Sequence, residues 1–466
     1  MSAGAADRPN VLFVLTDQWR AQALGCMGNE QVHTPTVDRL ADEGMTFERA
    51  YTPKPMCVPA RASLLTGTHP HRNRVVHNQL RLPDEYPTVA DALGAAGYDT
   101  GYVGKWHLDG VNSLYVPPDR RGGFDFWEGF NTTSHDYDRF PRFDENGEVT
   151  WEEGYQPAIE TDVAIDYLEA TADVPAPFFL FVSWGPPHPP KGGWRKVDAP
   201  AEYTDRYDPG ELTLRPNVPD DGITLRPHLP LLDSDQVRRD LVEYYGYISS
   251  LDHQLCRLLD ALDRFGLSED TLVVFASDHG EMLGSHGRYN KGAPFEEAIH
   301  VPLVFRWPGA IEPGRRSDAL VSLNDIMPTL VSLCEVDIPD GVQGHDYAPH
   351  VRGDPSPETA DAVYIQDWRV ENDIPDEPDW GPWGQPWRMV RTDRYALMLD
   401  CTLETRYLFD VREDPYQMNN LAGDPSVADV EARLRERLFE FAHGTDDREF
   451  VVRHLYIERT DDLHDR

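Results

Sequence analysis

Short apolar runs rich in valine and phenylalanine alternate along this chain with stretches of helical periodicity, and that alternation admits few folds. A strand buried on both faces reads as a continuous apolar run, and parallel strands need long crossover connections, usually helical. Residues 11–16, 100–103, 178–184 and 271–277 read as the clearest strands. Between the last two, Tyr244, Ile248, Leu251, Leu255, Leu258 and Leu262 recur at alternating steps of four and three, which gives a long helix one apolar face. The pattern predicts the α/β class, with a large, mostly parallel sheet sandwiched by helices.

At 466 residues the chain exceeds one ordinary core. Residues 341–355 are rich in glycine, proline and charge, and no periodic pattern crosses them. A boundary there separates a large unit, 1–345, from a smaller one, 356–466. In the smaller unit residues 387–399 alternate like a strand and 407–410 start another ordered segment. Val427, Val430, Leu434, Leu438 and Phe441 mark a terminal amphipathic helix. Residues 371–386, acidic and rich in proline and tryptophan, read as a loop.

A formal net charge of −38 argues against nucleic acid and anionic membranes as partners, because the summed field repels both. Lysine occurs only at 54, 105, 191, 196 and 291, arginine carries most other positive charge, and aspartate outnumbers glutamate. That usage resembles proteins of salt-loving organisms, so stability is expected to need salt, which screens the self-repulsion. Where arginine has replaced most lysines, Lys105 and Lys291 stand out as places that require a compact ammonium. Five cysteines, at 26, 57, 256, 334 and 401, with no C-x-x-C spacing, imply neither a disulfide framework nor a zinc cluster and suit a reducing compartment. Residues 1–10 are small and polar and the apolar run 11–15 is too short for a signal core or a membrane span, so the expected location is cytoplasmic.

Cys57-Val58-Pro59-Ala60-Arg61, running into Ala62-Ser63-Leu64-Leu65-Thr66-Gly67, sets a thiol and a guanidinium four positions apart at a helix start. Pro59 suits the first helical position, and a helix N-terminus aims N–H groups at an anion. A lone cysteine is ordinarily a small buried hydrophobe, so the other motifs decide. Asp17-Gln18 follow the first strand, Lys105-Trp106-His107 the second, His188 lies just past the third, and Asp278-His279-Gly280 close the fourth. Ligands of open α/β sheets bind at the carboxyl ends of strands, so these segments and the Cys57 loop should converge on one rim. Asp17 and Asp278 are a natural pair of hard oxygen ligands for a divalent cation, with Gln18 and His279 as neutral partners.

These residues resemble the signature of the formylglycine-dependent sulfatases, and the resemblance runs from Pro9 to Leu408-Phe409-Asp410. The segment Asn290-Lys291-Gly292-Ala293-Pro294-Phe295-Glu296-Glu297 is similar to the lysine segment of many sulfatases. The resemblance implies an alkaline phosphatase-like fold with a small C-terminal α+β subdomain of antiparallel strands and one helix. It also implies that a formylglycine-generating enzyme oxidises Cys57 to formylglycine, whose hydrate attacks sulfur. One divalent metal is implied at Asp17, Gln18, Asp278, His279 and an oxygen of modified Cys57, with calcium first and manganese or magnesium as alternatives. Arg61 would hold the modified side chain, and Lys105 and Lys291 would stabilise charge on the sulfuryl oxygens. His188 would protonate the leaving alkoxide, and His107 would act as the base that returns the aldehyde.

Sulfatases commonly carry a second aspartate and an asparagine where this chain has Gln18 and His279, and a nitrogen ligand suits manganese or another transition ion. Phosphonate monoester and phosphodiester hydrolases share the formylglycine motif, and the pairs Asp17-Gln18 and Asp278-His279 look like theirs. They lack the sulfatase lysine and histidine at Lys105 and His107. The expected activity is therefore hydrolysis of a small-molecule or carbohydrate sulfate ester, with phosphonate or phosphodiester hydrolysis as the alternative. A non-catalytic metal- or partner-binding role is a third reading, which requires Cys57 to stay a thiol. His69, His71, His77, Asn78 and His286 are secondary candidates for the pocket wall. Trp194, Trp368, Trp380, Trp383 and Trp387 could stack on a sugar or pack the two units together.

Overall fold

The four strands read from the sequence lie side by side in one nine-stranded sheet. Its members are β1 (Asn10–Asp17), β2 (Met45–Tyr51), β3 (Asp99–Lys105) and β4 (Phe126–Phe130), then, after a separate hairpin of β5 (Arg139–Phe143) and β6 (Val149–Glu153), β7 (Phe178–Pro187), β8 (Thr271–Ser277), β9 (His300–Val301), β10 (Leu303–Arg306) and β11 (Arg315–Ser322). The spatial order is β11-β2-β10-β8-β1-β7-β3-β4, with β9 on β2. Neighbours along that order are parallel except for β10, which runs against both β8 and β2. The computed structural model describes residues 8–451, apart from 112, 133–134, 144–145, 191–198, 225–229, 356–357 and 369–385. Lys191, Lys196, Trp194, Trp380 and Trp383, with nearly all of the expected acidic loop, lie outside the described residues.

Strand alternation explains why the apolar runs are continuous. Val11, Phe13 and Leu15 of β1 join one core with Phe179 and Phe181, while Leu12 and Val14 join the opposite core with Leu180 and Val182. Tyr244, Ile248, Leu251, Leu255, Leu258 and Leu262 of the helix Ser234–Arg264 are all buried in that second core. The helix starts where Asp233 accepts the Gln236 amide at 2.8 Å.

The smaller unit holds an antiparallel sheet of β12 (Ala362–Asp367), β13 (Trp387–Thr392), β14 (Tyr395–Asp400) and β15 (Thr405–Asp410). One face is covered by Leu434, Leu438 and Ala442 of the helix Ala428–Gly444, and the other, through Ile365, Met389 and Phe409, packs on Tyr51, Met282 and Phe295. The single strand expected over 387–399 is two. Thr392 Oγ1 accepts the amides of Arg394 and Tyr395 at 3.4 and 2.9 Å, a side-chain turn that reverses the chain. Within the expected boundary, 341–355, lies a short helix, Ala348–Arg352. None of the five cysteines forms a disulfide, and no helix among the described residues is long and apolar enough to cross a membrane.

Candidate active site

Parallel strands bring their carboxyl ends to one rim, and the candidate groups sit there. β1 ends on Asp17, β3 on Lys105, β7 one residue before His188, and β8 one residue before Asp278. The fifth segment is the helix Cys57–Thr66, buried along its whole length. Met56 is extended and the Val58 amide donates to Asn78 Oδ1 at 3.1 Å, so a side chain from outside the helix satisfies one of its first N–H groups. The first helical residue is Cys57, which corrects the placement of Pro59 from first to third position; its missing N–H still falls among the unpaired four. Arg61, one turn on, projects from the same face as Cys57.

Arg61 ties the strand ends together. Its Nε donates to Asp278 Oδ2 at 2.9 Å and its Nη2 to Asp17 Oδ2 at 3.3 Å, while Nη1 donates to Ser183 Oγ and the Lys105 carbonyl at 2.8 and 2.9 Å. Lys105 Nζ takes the same Asp17 Oδ2 at 2.5 Å. Each aspartate therefore spends Oδ2 on a cation and turns Oδ1 elsewhere. His279 Nε2 lies 3.6 Å from both Oδ1 atoms, and Cys57 Sγ lies 3.6 Å from Asp17 Oδ1 and 3.1 Å from His279 Nε2. One donor atom from each of these four buried residues falls within 4.8 Å of the others. The Gly280 carbonyl, 2.9 Å from His279 Nδ1, can only accept, so Nδ1 carries hydrogen and Nε2 is the atom turned to the cluster. Two carboxylate oxygens, an imidazole nitrogen and position 57 are a donor set that fits a divalent cation.

Gln18, held at φ 71°, donates its amide nitrogen to Glu281 and accepts Lys291 Nζ at Oε1 at 2.5 Å, which leaves Oε1 one lone pair. Burial pushes the Asp17 carboxyl up, but Lys105, His188, Arg61 and His279 outweigh it and hold the group well below the usual range. Burial and Asp17 raise the Cys57 thiol; Lys291, Lys105 and His279 bring it below its ordinary value. His107 is depressed well below the usual imidazole range by burial, then by Lys105 and Arg61, and His188 by burial, then by Lys291 and His135. His107 sits at φ 60° with Nδ1 buried and without a hydrogen-bond partner.

Several secondary candidates lie elsewhere. His69 and His71 stack on each other, and His71 bonds Gln366 and the Thr445 carbonyl of the smaller unit. His286 stacks on Phe295. Trp387 is buried in the core between the sheets, and the Arg388 guanidinium covers Trp368. Lys54 pairs with Asp367 of β12. Sequence reasoning missed Ser183, Glu281 and His135. Glu281 follows directly on Asp278-His279-Gly280 and was legible there; His135 lies in a stretch without periodicity or motif.

The family model for sulfatases matches residues 9–336, and the chain belongs to the sulfatase family, enzymes of sulfate ester hydrolysis. A second model, described as N-sulphoglucosamine sulphohydrolase, C-terminal, matches residues 284–444. Among characterised relatives the chain is similar to an ulvan-active sulfatase of Formosa agariphila, at 37% identity over 97% of this chain and 84% of the relative. It is also similar to an endo-4-O-sulfatase of Bacteroides thetaiotaomicron, at 31% identity over 93% and 92%. Among solved structures, a Bacteroides thetaiotaomicron protein described under the metabolism of multiple glycosaminoglycans superposes with a TM-score of 0.83 at 27% identity, covering 96% of this chain and 99% of that one.

Proposed function

We propose that the chain hydrolyses a small-molecule or carbohydrate sulfate ester at the Cys57 rim, with Cys57 matured to formylglycine by a formylglycine-generating enzyme. One divalent cation would be held by Asp17, Gln18, Asp278, His279 and position 57. Calcium comes first on the resemblance, and the His279 imidazole favours manganese over magnesium as the alternative. The observation that carries this reading is the convergence of Asp17 and Asp278, each held at Oδ2 by a cation, with His279 and Cys57 on one buried point. The proposed units are 1–345 for the chemistry and 356–466 for the smaller subdomain, supported by the start of the second sheet at Ala362.

The formylglycine hydrate supplies an oxygen nucleophile, and the cation supplies Lewis acidity toward the sulfate. The chain's own side chains do the remaining work. Lys105 and Lys291 present fixed ammonium charge to the sulfuryl oxygens, at no reorganisation cost during the step. Arg61 keeps Asp17 and Asp278 in register with the Cys57 helix. The His188 Nδ1–H donates to the Pro189 carbonyl at 2.8 Å, so Nε2 delivers a proton to the departing ester oxygen. Nearby cations oppose that proton before substrate arrives, and the anionic ester offsets them. His107, depressed and unpartnered at Nδ1, removes the proton that allows sulfate to leave.

Phosphonate monoester hydrolysis is the second reading, and Gln18 and His279 favour it; Lys105 and His107 weigh against it. Comparison of kcat/KM for 4-nitrophenyl sulfate and 4-nitrophenyl phenylphosphonate, under saturating metal, separates the two. The sulfate should be preferred, and a strong preference for the phosphonate would reverse the assignment.

A further inference from the structure

The candidate proton donor is gripped by two side chains that no motif contains. The His135 ring stacks on His188 with centroids 4.0 Å apart and planes 22° from parallel, and its Nε2 lies 3.2 Å from Lys105 Nζ. Tyr137, itself buried, donates its hydroxyl to the His188 backbone carbonyl at 2.8 Å. His135 holds a left-handed φ of 56°, a conformation uncommon outside glycine, though one that histidine adopts more readily than most residues.

We propose that His135 is a positioning residue for ester cleavage, aiming the His188 ring and keeping the protonatable site of this imidazole pair on His188. The inference rests on the sulfatase reading above. An ammonium can only donate, so His135 Nε2 must accept from Lys105, which places its one proton on Nδ1 and holds the ring neutral. Two stacked imidazolium rings would repel, which is how a charged His135 would depress His188, whereas a neutral ring beneath an imidazolium stabilises it as an aromatic face stabilises any cation. Lys105 thereby reserves the second proton for His188. With its face on His135, its Nδ1 on Pro189 and its backbone on Tyr137, the His188 ring has Nε2 left to meet the ester. As the S–O bond breaks, the Nε2–H bond gives its proton to the leaving oxygen, and the electron pair stays on nitrogen.

The test uses metal-loaded protein carrying formylglycine and two esters of similar size, 4-nitrophenyl sulfate and phenyl sulfate, whose more basic leaving group needs its proton more. His135→Asn keeps an acceptor for Lys105 but removes the ring face. It should lower kcat/KM for phenyl sulfate about tenfold more than for the nitrophenyl ester, in the direction expected of a lost acid catalyst. His135→Phe keeps the face and removes the acceptor, and should lower both rates alike. Equal losses on the two esters in both variants would reduce His135 to a packing role and overturn the proposal, as would wild-type rates in both. A wild-type protein inactive on both sulfates would instead remove the sulfatase reading beneath it, and the positioning role with it.

Discussion

The sulfur of Cys57 stands 3.1 Å from Nε2 of His279, across 222 residues of sequence. Helix and strand end thus deliver the position to be oxidised and the nitrogen donor to the same point. The aspartates that flank it are held by Arg61 from behind, so loss of one partner has two separable effects.

Asp278→Ala should abolish bound metal and also take from the buried Arg61 its closer carboxylate, leaving it Asp17, so the loss of stability should stay below about 3–5 kcal/mol, the cost of a fully broken buried pair. Asp278→Asn keeps an acceptor for Arg61 and should lose metal with a smaller drop in stability. Elemental analysis with urea unfolding checks both, and full metal occupancy in either variant would contradict the ligand assignment.

Lys54 and Asp367 form a buried pair that joins the loop before the Cys57 helix to the first strand of the smaller sheet. Lys54→Met should destabilise the protein by about 3–5 kcal/mol, because the Asp367 carboxylate is left uncompensated. Replacing Asp367 with leucine in the same chain should recover most of that loss in urea unfolding.

Glu160 lies under the sheet, with Oε1 on the Gln156 amide at 2.6 Å and Oε2 without a partner, and burial raises its carboxyl to about 8. The folded state then binds a proton that the unfolded state releases at its ordinary value of 4.5. Stability contributed by this group is full below that value and falls as pH rises toward 8, by about 1.4 kcal/mol per pH unit. Glu160→Gln should flatten the fall, so thermal unfolding of the two proteins should diverge between pH 5 and 8, with the variant more stable at the alkaline end.

The sheet core was legible because strands buried on both faces leave nothing polar to blur the pattern: β8 was read to the residue, and the long helix by its apolar face. Asp17, Lys105, His188 and Asp278 could be expected on one rim because each closes or follows a strand, whereas Cys57, Arg61 and Lys291 were candidates through the resemblance. Turns were harder, since the Thr392 hydroxyl that divides β13 from β14 acts through geometry that alternation does not encode. His135 was hidden for a different reason. Its partners Lys105 and His188 are distant in sequence, and only the fold stacks the rings.

Mass spectrometry of the peptide containing position 57, from protein purified in its native host, tests the central claim most directly. Conversion of Cys57 to formylglycine should appear as an aldehyde mass in place of the thiol, in proportion to sulfatase activity. An unmodified thiol in fully active protein would contradict the account.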